Sequence, residues 1–122
     1  MSDMRKILVV DDEKMLRECL RDMFFQRDCV VYEASNGEEA LRILSNQSVD
    51  LILTDVDMPV KNGLDFLREF RQIDRTTPVA IMSGGNVIGE NTLKLIGAFS
   101  FMQKPNLDLD TLLNYIGAGL FL

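Results

Sequence analysis

Histidine and tryptophan are absent from this 122-residue chain, and cysteine occurs only twice, as Cys19 and Cys29. With no imidazole, and with two thiols that do not stand at metal-ligand spacing, the chain lacks the makings of a zinc centre or a disulfide framework. Both thiols are read as packing residues. No tryptophan and only two tyrosines leave little to stack a flavin. No apolar run approaches the ~20 residues that span a bilayer, and Met1 to Lys6 lacks the apolar stretch of a secretory signal, so a cytoplasmic protein with no membrane role is expected. Positive charge is in deficit: 13 Lys and Arg against 19 Asp and Glu give a net charge of -6. That balance argues against direct nucleic-acid binding, which rests on clustered cations. Linkers, repeats and low-complexity tracts are missing too. What remains is an ordinary globular composition, 47% hydrophobic and 26% charged, and one domain over residues 1–122 is expected.

Short apolar runs rich in β-branched residues alternate with longer amphipathic segments, the pattern of βαβ units around a parallel sheet. Five strands are predicted: Lys6 to Val10, Cys29 to Ala34, Leu51 to Asp55, Val79 to Ser83 and Phe99 to Gln103. All are strongly apolar, as strands buried on both faces are. Glu13 to Gln26 puts Met15, Leu16, Cys19, Leu20, Met23 and Phe24 on one helical stripe, and Asn36 to Ser45 does the same with Ala40, Leu41 and Leu44. Gly63 to Ile73 offers Leu64, Leu67, Phe70 and Ile73, while Leu109, Leu112, Leu113 and Ile116 mark the last helix. These stripes are predicted to face the core. The fourth helical segment, within Asn86 to Ile96, contains Val87, Gly89, Asn91 and Thr92, all poor helix formers. It is predicted to be short and to begin near Glu90.

In an open parallel sheet the site lies beyond the carboxyl ends of the strands. Those ends carry Asp11-Asp12, Asp55, Ser83 and Lys104-Pro105. Each has an ordinary structural reading alone: Asp12 as a helix cap, Asp55 and Asp57 as turn residues before Pro59, Ser83 as a loop hydroxyl, Lys104 as a solvated charge. Their convergence changes that reading. Carboxylates within ~4 Å of one another repel by about 4 kcal/mol per pair at an effective dielectric of 20, more than folding stability can readily absorb, so a cation is implied. With oxygen ligands only, the ion should be hard: Mg²⁺, with Mn²⁺ or Ca²⁺ as alternatives. Mg²⁺ often shares its shell with phosphate oxygens, which points to phosphoryl chemistry. A carboxylate attacks phosphorus when cations neutralise the transferring oxygens, and Lys104 would supply one of them. Ser83 offers a hydroxyl to a phosphoryl oxygen, and Gly84 leaves the backbone amide open to approach.

Along essentially its whole length the chain resembles the receiver domain of bacterial response regulators, the CheY-like family of two-component signal transduction. The residues that carry the resemblance are Asp11-Asp12, the run Leu51-Ile52-Leu53-Thr54-Asp55-Val56-Asp57-Met58-Pro59 with Gly63 following, Ser83-Gly84, and Lys104-Pro105 preceded by Gly97-Ala98. Ala34 to Leu41 is similar to the family's entry into its second helix. The resemblance implies an α/β, flavodoxin-like fold: a doubly wound five-stranded parallel sheet of strand order 2-1-3-4-5, with five helices on its two faces. It implies that Asp55 is the phosphoacceptor. Mg²⁺ would be bound through the side chains of Asp12 and Asp55, through Asp11 by way of water, and through the backbone carbonyl of Asp57. Ser83 and Lys104 would contact the phosphoryl group, and the Lys104-Pro105 bond would be cis.

The same resemblance implies a sensor histidine kinase or phosphotransfer protein as donor, or a small phosphodonor, and a downstream protein target. The domain is expected to be no enzyme, dephosphorylating itself slowly at most, and to be a monomer or a weak phosphorylation-dependent homodimer. A phosphoryl group should draw in the Ser83 hydroxyl, and Phe101, which stands where Tyr is common, is expected to turn into the vacated space. The output surface would be the face of the fourth helix, fifth strand and fifth helix. The end at Leu122 leaves no room for an effector domain, although the apolar Leu120-Phe121-Leu122 tail is also what a cut from a longer chain would leave. The rival readings are weaker. Asp55-Val56-Asp57 also resembles the nucleophile motif of haloacid-dehalogenase-type phosphatases, but that motif belongs on a first strand. A degenerate receiver serving only as a binding module is opposed by the intact acidic, hydroxyl and lysine positions, and a flavodoxin-like cofactor binder by the absence of Trp and the presence of only two Tyr.

Overall fold

Ile7, Leu8, Val9 and Val10 point alternately to opposite sides of one strand, yet all four are fully buried, which requires a covering layer on each face of the sheet. The computed structural model of the protein describes residues 4–56, 58, 60–84, 97–98, 100–104 and 108–114, with 100–103 as backbone. Strands β1 (Arg5–Val10), β2 (Cys29–Ala34), β3 (Leu51–Asp55), β4 (Val79–Ser83) and β5 (Ser100–Gln103) are joined in turn by helices α1 (Lys14–Phe25), α2 (Gly37–Asn46) and α3 (Gly63–Phe70), and a last helix spans Leu109–Leu113. All strand pairs are parallel, in the order β2-β1-β3-β4-β5. The flavodoxin-like strand order expected from the sequence is therefore the observed one. Between β1 and β3 the direction of winding reverses, and the carboxyl ends of these two neighbours flank the crevice that such a reversal opens.

One face packs Leu8, Val10, Ile52 and Ile81 against Ala40 of α2 and Phe66, Leu67 and Phe70 of α3. The other packs Ile7, Val9, Leu51, Leu53 and Met82 against Leu20 and Phe24 of α1 and Leu109, Leu112 and Leu113 of the last helix. Truncating a fully buried ring such as Phe66 to alanine would cost about 3–5 kcal/mol. The helix starts are chemically defined. Asn36 accepts from the Glu39 amide at 2.9 Å while Glu39 reaches back to the Ser35 amide at 3.0 Å, a reciprocal cap for α2. Asn62 and Asp108 accept from the amides of Asp65 and Thr111 at the starts of α3 and the last helix.

Three residues predicted to face the core do not. Met15 is 85% exposed and Cys19 is exposed as well, because the buried stripe of α1 follows Leu16, Leu20 and Phe24, and Met15 and Cys19 stand one residue, about 100° of helical turn, to its side. Of the two thiols only Cys29 packs inside. The predicted third helix also ends early, at Phe70. The Ile73 amide closes a tight turn onto the Phe70 carbonyl at 2.9 Å, and this leaves Ile73 81% exposed. The predicted fourth helical segment, Phe99, Ile116 and the apolar tail lie outside the described residues. No helix among the described residues is long and apolar enough to cross a membrane.

Candidate functional site

The strand ends bring one cluster together. Asp11 continues the β1 ladder, its amide donating to the Ala34 carbonyl at 3.0 Å, and its carboxylate is wholly buried. Oδ1 of Asp11 accepts the Glu13 amide at 2.8 Å. Asp55 closes β3, 5% exposed, with Oδ1 accepting the Val56 amide at 2.8 Å. Asp12 is exposed, and carboxylate oxygens of Asp11, Asp12 and Asp55 all lie within 4.8 Å of one another. Asp12 does not cap α1, whose N-cap residue is Glu13 with no side-chain cap bond. Ser83 ends β4 nearly buried, and its carbonyl accepts the Lys104 amide at 2.8 Å, which brings Lys104 to the same edge.

Lys104 is the cation of this cluster. Its Nζ stands 2.6 Å from Asp11 Oδ2 and 3.4 Å from Asp55 Oδ2, and it donates a hydrogen bond to Glu13 Oε1 at 3.3 Å. The Asp11 contact is a charge contact off the line of a directed hydrogen bond, so the buried Oδ2 has no hydrogen-bond partner. Burial pushes the Asp11 carboxyl above its ordinary range, and the nearby Lys104 does not fully offset this. Asp55 is pushed up as well, first by burial and then by the Asp11 charge. For Lys104 burial works downward, but the close ion pair with Asp11 and the charge of Asp55, together with the Glu13 hydrogen bond, outweigh it and the ammonium is held above its usual value. One ammonium thus leaves both buried carboxylates short of compensation.

A hard divalent cation fits this deficit. The donor set is oxygen alone, and the buried Asp11 Oδ2 is met by the Lys104 charge but by no directed hydrogen bond. Of the predicted site residues, Asp11, Asp12, Asp55, Ser83 and Lys104 converge. Asp57, the Lys104-Pro105 bond and the Phe101 side chain lie outside the described residues. Gly63 is pressed against the backbone that carries Asp55, its amide donating to the Val56 carbonyl at 2.9 Å.

Two residues of the site were not singled out from sequence. Glu13 was read only as the start of a helix, and the signal that could have found it is its place directly after the acidic pair. Arg17 carries no sequence signal of its own; its Nη1 donates to the Asp11 carbonyl at 2.7 Å and its Nε to Glu33 Oε1 at 3.3 Å, which pins the end of β1 to α1 and β2.

Residues 7–117 match the family described as the response regulator receiver domain. Among curated proteins, the transcriptional regulatory protein CpxR of Klebsiella pneumoniae is 38% identical over 102 residues, 84% of this chain and 44% of the relative. The CAI-1 autoinducer sensor kinase/phosphatase CqsS of Vibrio cholerae is 34% identical over 120 residues, 93% of this chain and 17% of the relative. The chain spans less than half the length of these curated relatives. Among solved structures, the chemotaxis response regulator CheY4 of Vibrio cholerae superposes with a TM-score of 0.81 at 29% identity, covering 92% of this chain and 95% of that one. A response regulator receiver domain from Clostridium thermocellum gives a TM-score of 0.78 at 32% identity over 91% of this chain and 92% of that one. Matched over nearly all its length in sequence and in fold, the chain belongs to the response regulator receiver domain family.

Proposed function

We propose that Asp55 is the phosphoacceptor of this receiver domain. The observation that carries the reading is a buried strand-end carboxylate standing beside two further carboxylates and 3.4 Å from a lysine ammonium. A carboxylate oxygen of Asp55 attacks the phosphorus of a phosphohistidine on a sensor kinase or phosphotransfer protein, or of a small acyl phosphate. The new O–P bond forms as the bond to the leaving imidazole or acyl group breaks. Lys104 neutralises charge on the transferred oxygens, and the Ser83 hydroxyl donates to one of them. Asp12 and Asp55 would hold Mg²⁺ or Mn²⁺ directly and Asp11 through water, with the Asp57 carbonyl as a further ligand, and the ion would supply charge neutralisation to the phosphoryl oxygens.

The chain on this reading is no turnover enzyme, since it hydrolyses at most its own phosphoaspartate. It acts in the cytoplasm on a downstream protein, with no direct contact to nucleic acid, through the face of the fourth helix, β5 and the last helix, with Ser83 and Phe101 as the switch. Mass spectrometry after incubation with acetyl phosphate and Mg²⁺ tests it: one phosphoryl group is expected on the wild type, mapped to Asp55, and none on Asp55→Asn. Retention of most of the label by the variant overturns the assignment.

A further inference from the structure

Among the described residues in contact with Lys104, Glu13 is the carboxylate that lies outside the Asp11, Asp12 and Asp55 cluster. Its backbone is fastened to the site, the amide donating to Asp11 Oδ1 at 2.8 Å. Its side chain, 66% exposed, receives the Lys104 hydrogen bond at the solvent rim. Helix stability does not account for a glutamate here. Ser, Thr, Asp and Asn are the residues that cap helices, and the Glu13 carboxylate, although at the N-cap position, makes no cap bond. We propose that Glu13 is a positioning residue that holds the Lys104 ammonium at the rim of the site and so sets how readily Lys104 reaches a phosphoryl group on Asp55.

Asp11, Glu13 and Asp55 compete for one ammonium. Without a cation, Asp11 holds Lys104 most closely, at 2.6 Å. With a divalent cation bound, Asp11 and Asp55 would be neutralised and would hold Lys104 less tightly, while Glu13, outside the cluster, would keep its full charge. Lys104 would then rest on Glu13, and its transfer to phosphoryl oxygens would have to break that pair. Partly exposed ion pairs of this kind shift equilibria by factors of about two to five. This inference rests on the phosphoacceptor reading above.

Two measurements on the whole chain test it. In the metal-free protein, Glu13→Gln should move the side-chain ¹⁵Nζ resonance of Lys104 and speed exchange of its ammonium protons with water. An unchanged resonance overturns the proposal. With Mg²⁺ and acetyl phosphate, Glu13→Gln should be phosphorylated about two- to fivefold faster than wild type, and the gain should vanish in a Lys104→Ala background. A gain of equal size in that background would show that Glu13 only repels the anionic donor, and would also overturn the proposal. Failure of the phosphoacceptor reading looks different: the wild type itself takes no label while the Lys104 resonance still responds to Glu13→Gln.

Discussion

Gly63 lies so close to Asp55 that a methyl group on its α-carbon would come within 2.1 Å of the Asp55 carbonyl oxygen and 3.0 Å of its carbonyl carbon. The obstacle is backbone, which cannot swing aside as a side chain can. Gly63→Ala must push the start of α3 away from the end of β3 and strain the Gly63 to Val56 hydrogen bond. We expect a loss on the order of 3 kcal/mol, at the upper end of overpacking costs, together with slower phosphorylation because the proposed acceptor rides on that backbone. Helix propensity alone predicts the opposite sign, since alanine is the better helix former. A urea melt decides between them, and an unchanged or higher midpoint contradicts the close approach.

Asp12→Ala should weaken Mg²⁺ binding at least about tenfold, as loss of a charged oxygen ligand does. In EDTA the same variant should melt a few degrees higher, because it removes a charge from a crowded anionic cluster without removing a helix cap. Calorimetry with and without Mg²⁺ reads both effects. A lower melting temperature in EDTA would mean that Asp12 supports α1 in a way its contacts do not show.

Two carboxylates should move stability with pH in opposite senses. Burial raises the Asp74 carboxyl, but the amides of Thr77 and Thr76, at 2.9 and 2.8 Å, and their hydroxyls outweigh it and hold it below its ordinary value. A depressed carboxylate contributes stability above the unfolded value near ~3.9, and that contribution is lost as pH falls through the folded value. Asp74→Ala should therefore cost about 1–2 kcal/mol at pH 7 and progressively less below pH ~4. Asp55 is raised by burial and by Asp11, so its ionised form opposes folding above its folded value, and the penalty fades as pH falls through it. Asp55→Asn in EDTA should be more stable than wild type at pH 7, with the gain shrinking in acid. Urea midpoints at pH 7 and pH 3 check both signs, and parallel behaviour of the two variants would refute the assignment.

Arg71 ties three carbonyls together: Nε and Nη2 donate to Gly97 at 3.1 and 2.8 Å, Nη2 to Thr77 at 2.6 Å, and Nη1 to Asp74 at 3.1 Å. Gly97 has φ of 80°, and a methyl there would sit 2.8 Å from Arg71 Nε. Lysine cannot reproduce the planar fork, so Arg71→Lys should cost about 2–3 kcal/mol and Gly97→Ala a similar amount. Both act on one contact, so the double variant should lose less than the sum. Strict additivity in a double-mutant cycle would show that they are independent.

The strands and the acidic edge were legible because both follow from short-range rules. A run such as Ile7 to Val10, apolar without a break, admits few positions except a strand covered on both sides, and the polar residues that stop such runs must collect at one edge. Contacts made by long polar side chains across the fold were not legible. Arg71 reads as an ordinary helix charge until Gly97, distant in sequence, is brought beside it, and Glu13 reads as a helix start until β5 delivers Lys104. Met15 and Cys19 failed for a simpler reason, since hydrophobic spacing tells which side of a helix faces inward but not how wide the covered stripe is, and Ile73 failed because the apolar spacing continues past the end of α3 at Phe70.

Asp11 and Asp55 extend from β1 and β3, each hydrogen-bonded to a neighbour on both sides, whereas Lys104 follows β5 at the rim of the sheet. Rim segments of folded domains open at lower free energy than central ones, and their amides exchange sooner with solvent. The anionic half of the site is thus built into the most durable part of the sheet, and the cationic half into a part that opens more readily. A brief fraying of β5 carries Lys104 away while the carboxylates of Asp11 and Asp55 keep their places. On the proposed function, grip on a metal ion and grip on a phosphoryl group would therefore have separate lifetimes, the first governed by the centre of the sheet and the second by its edge.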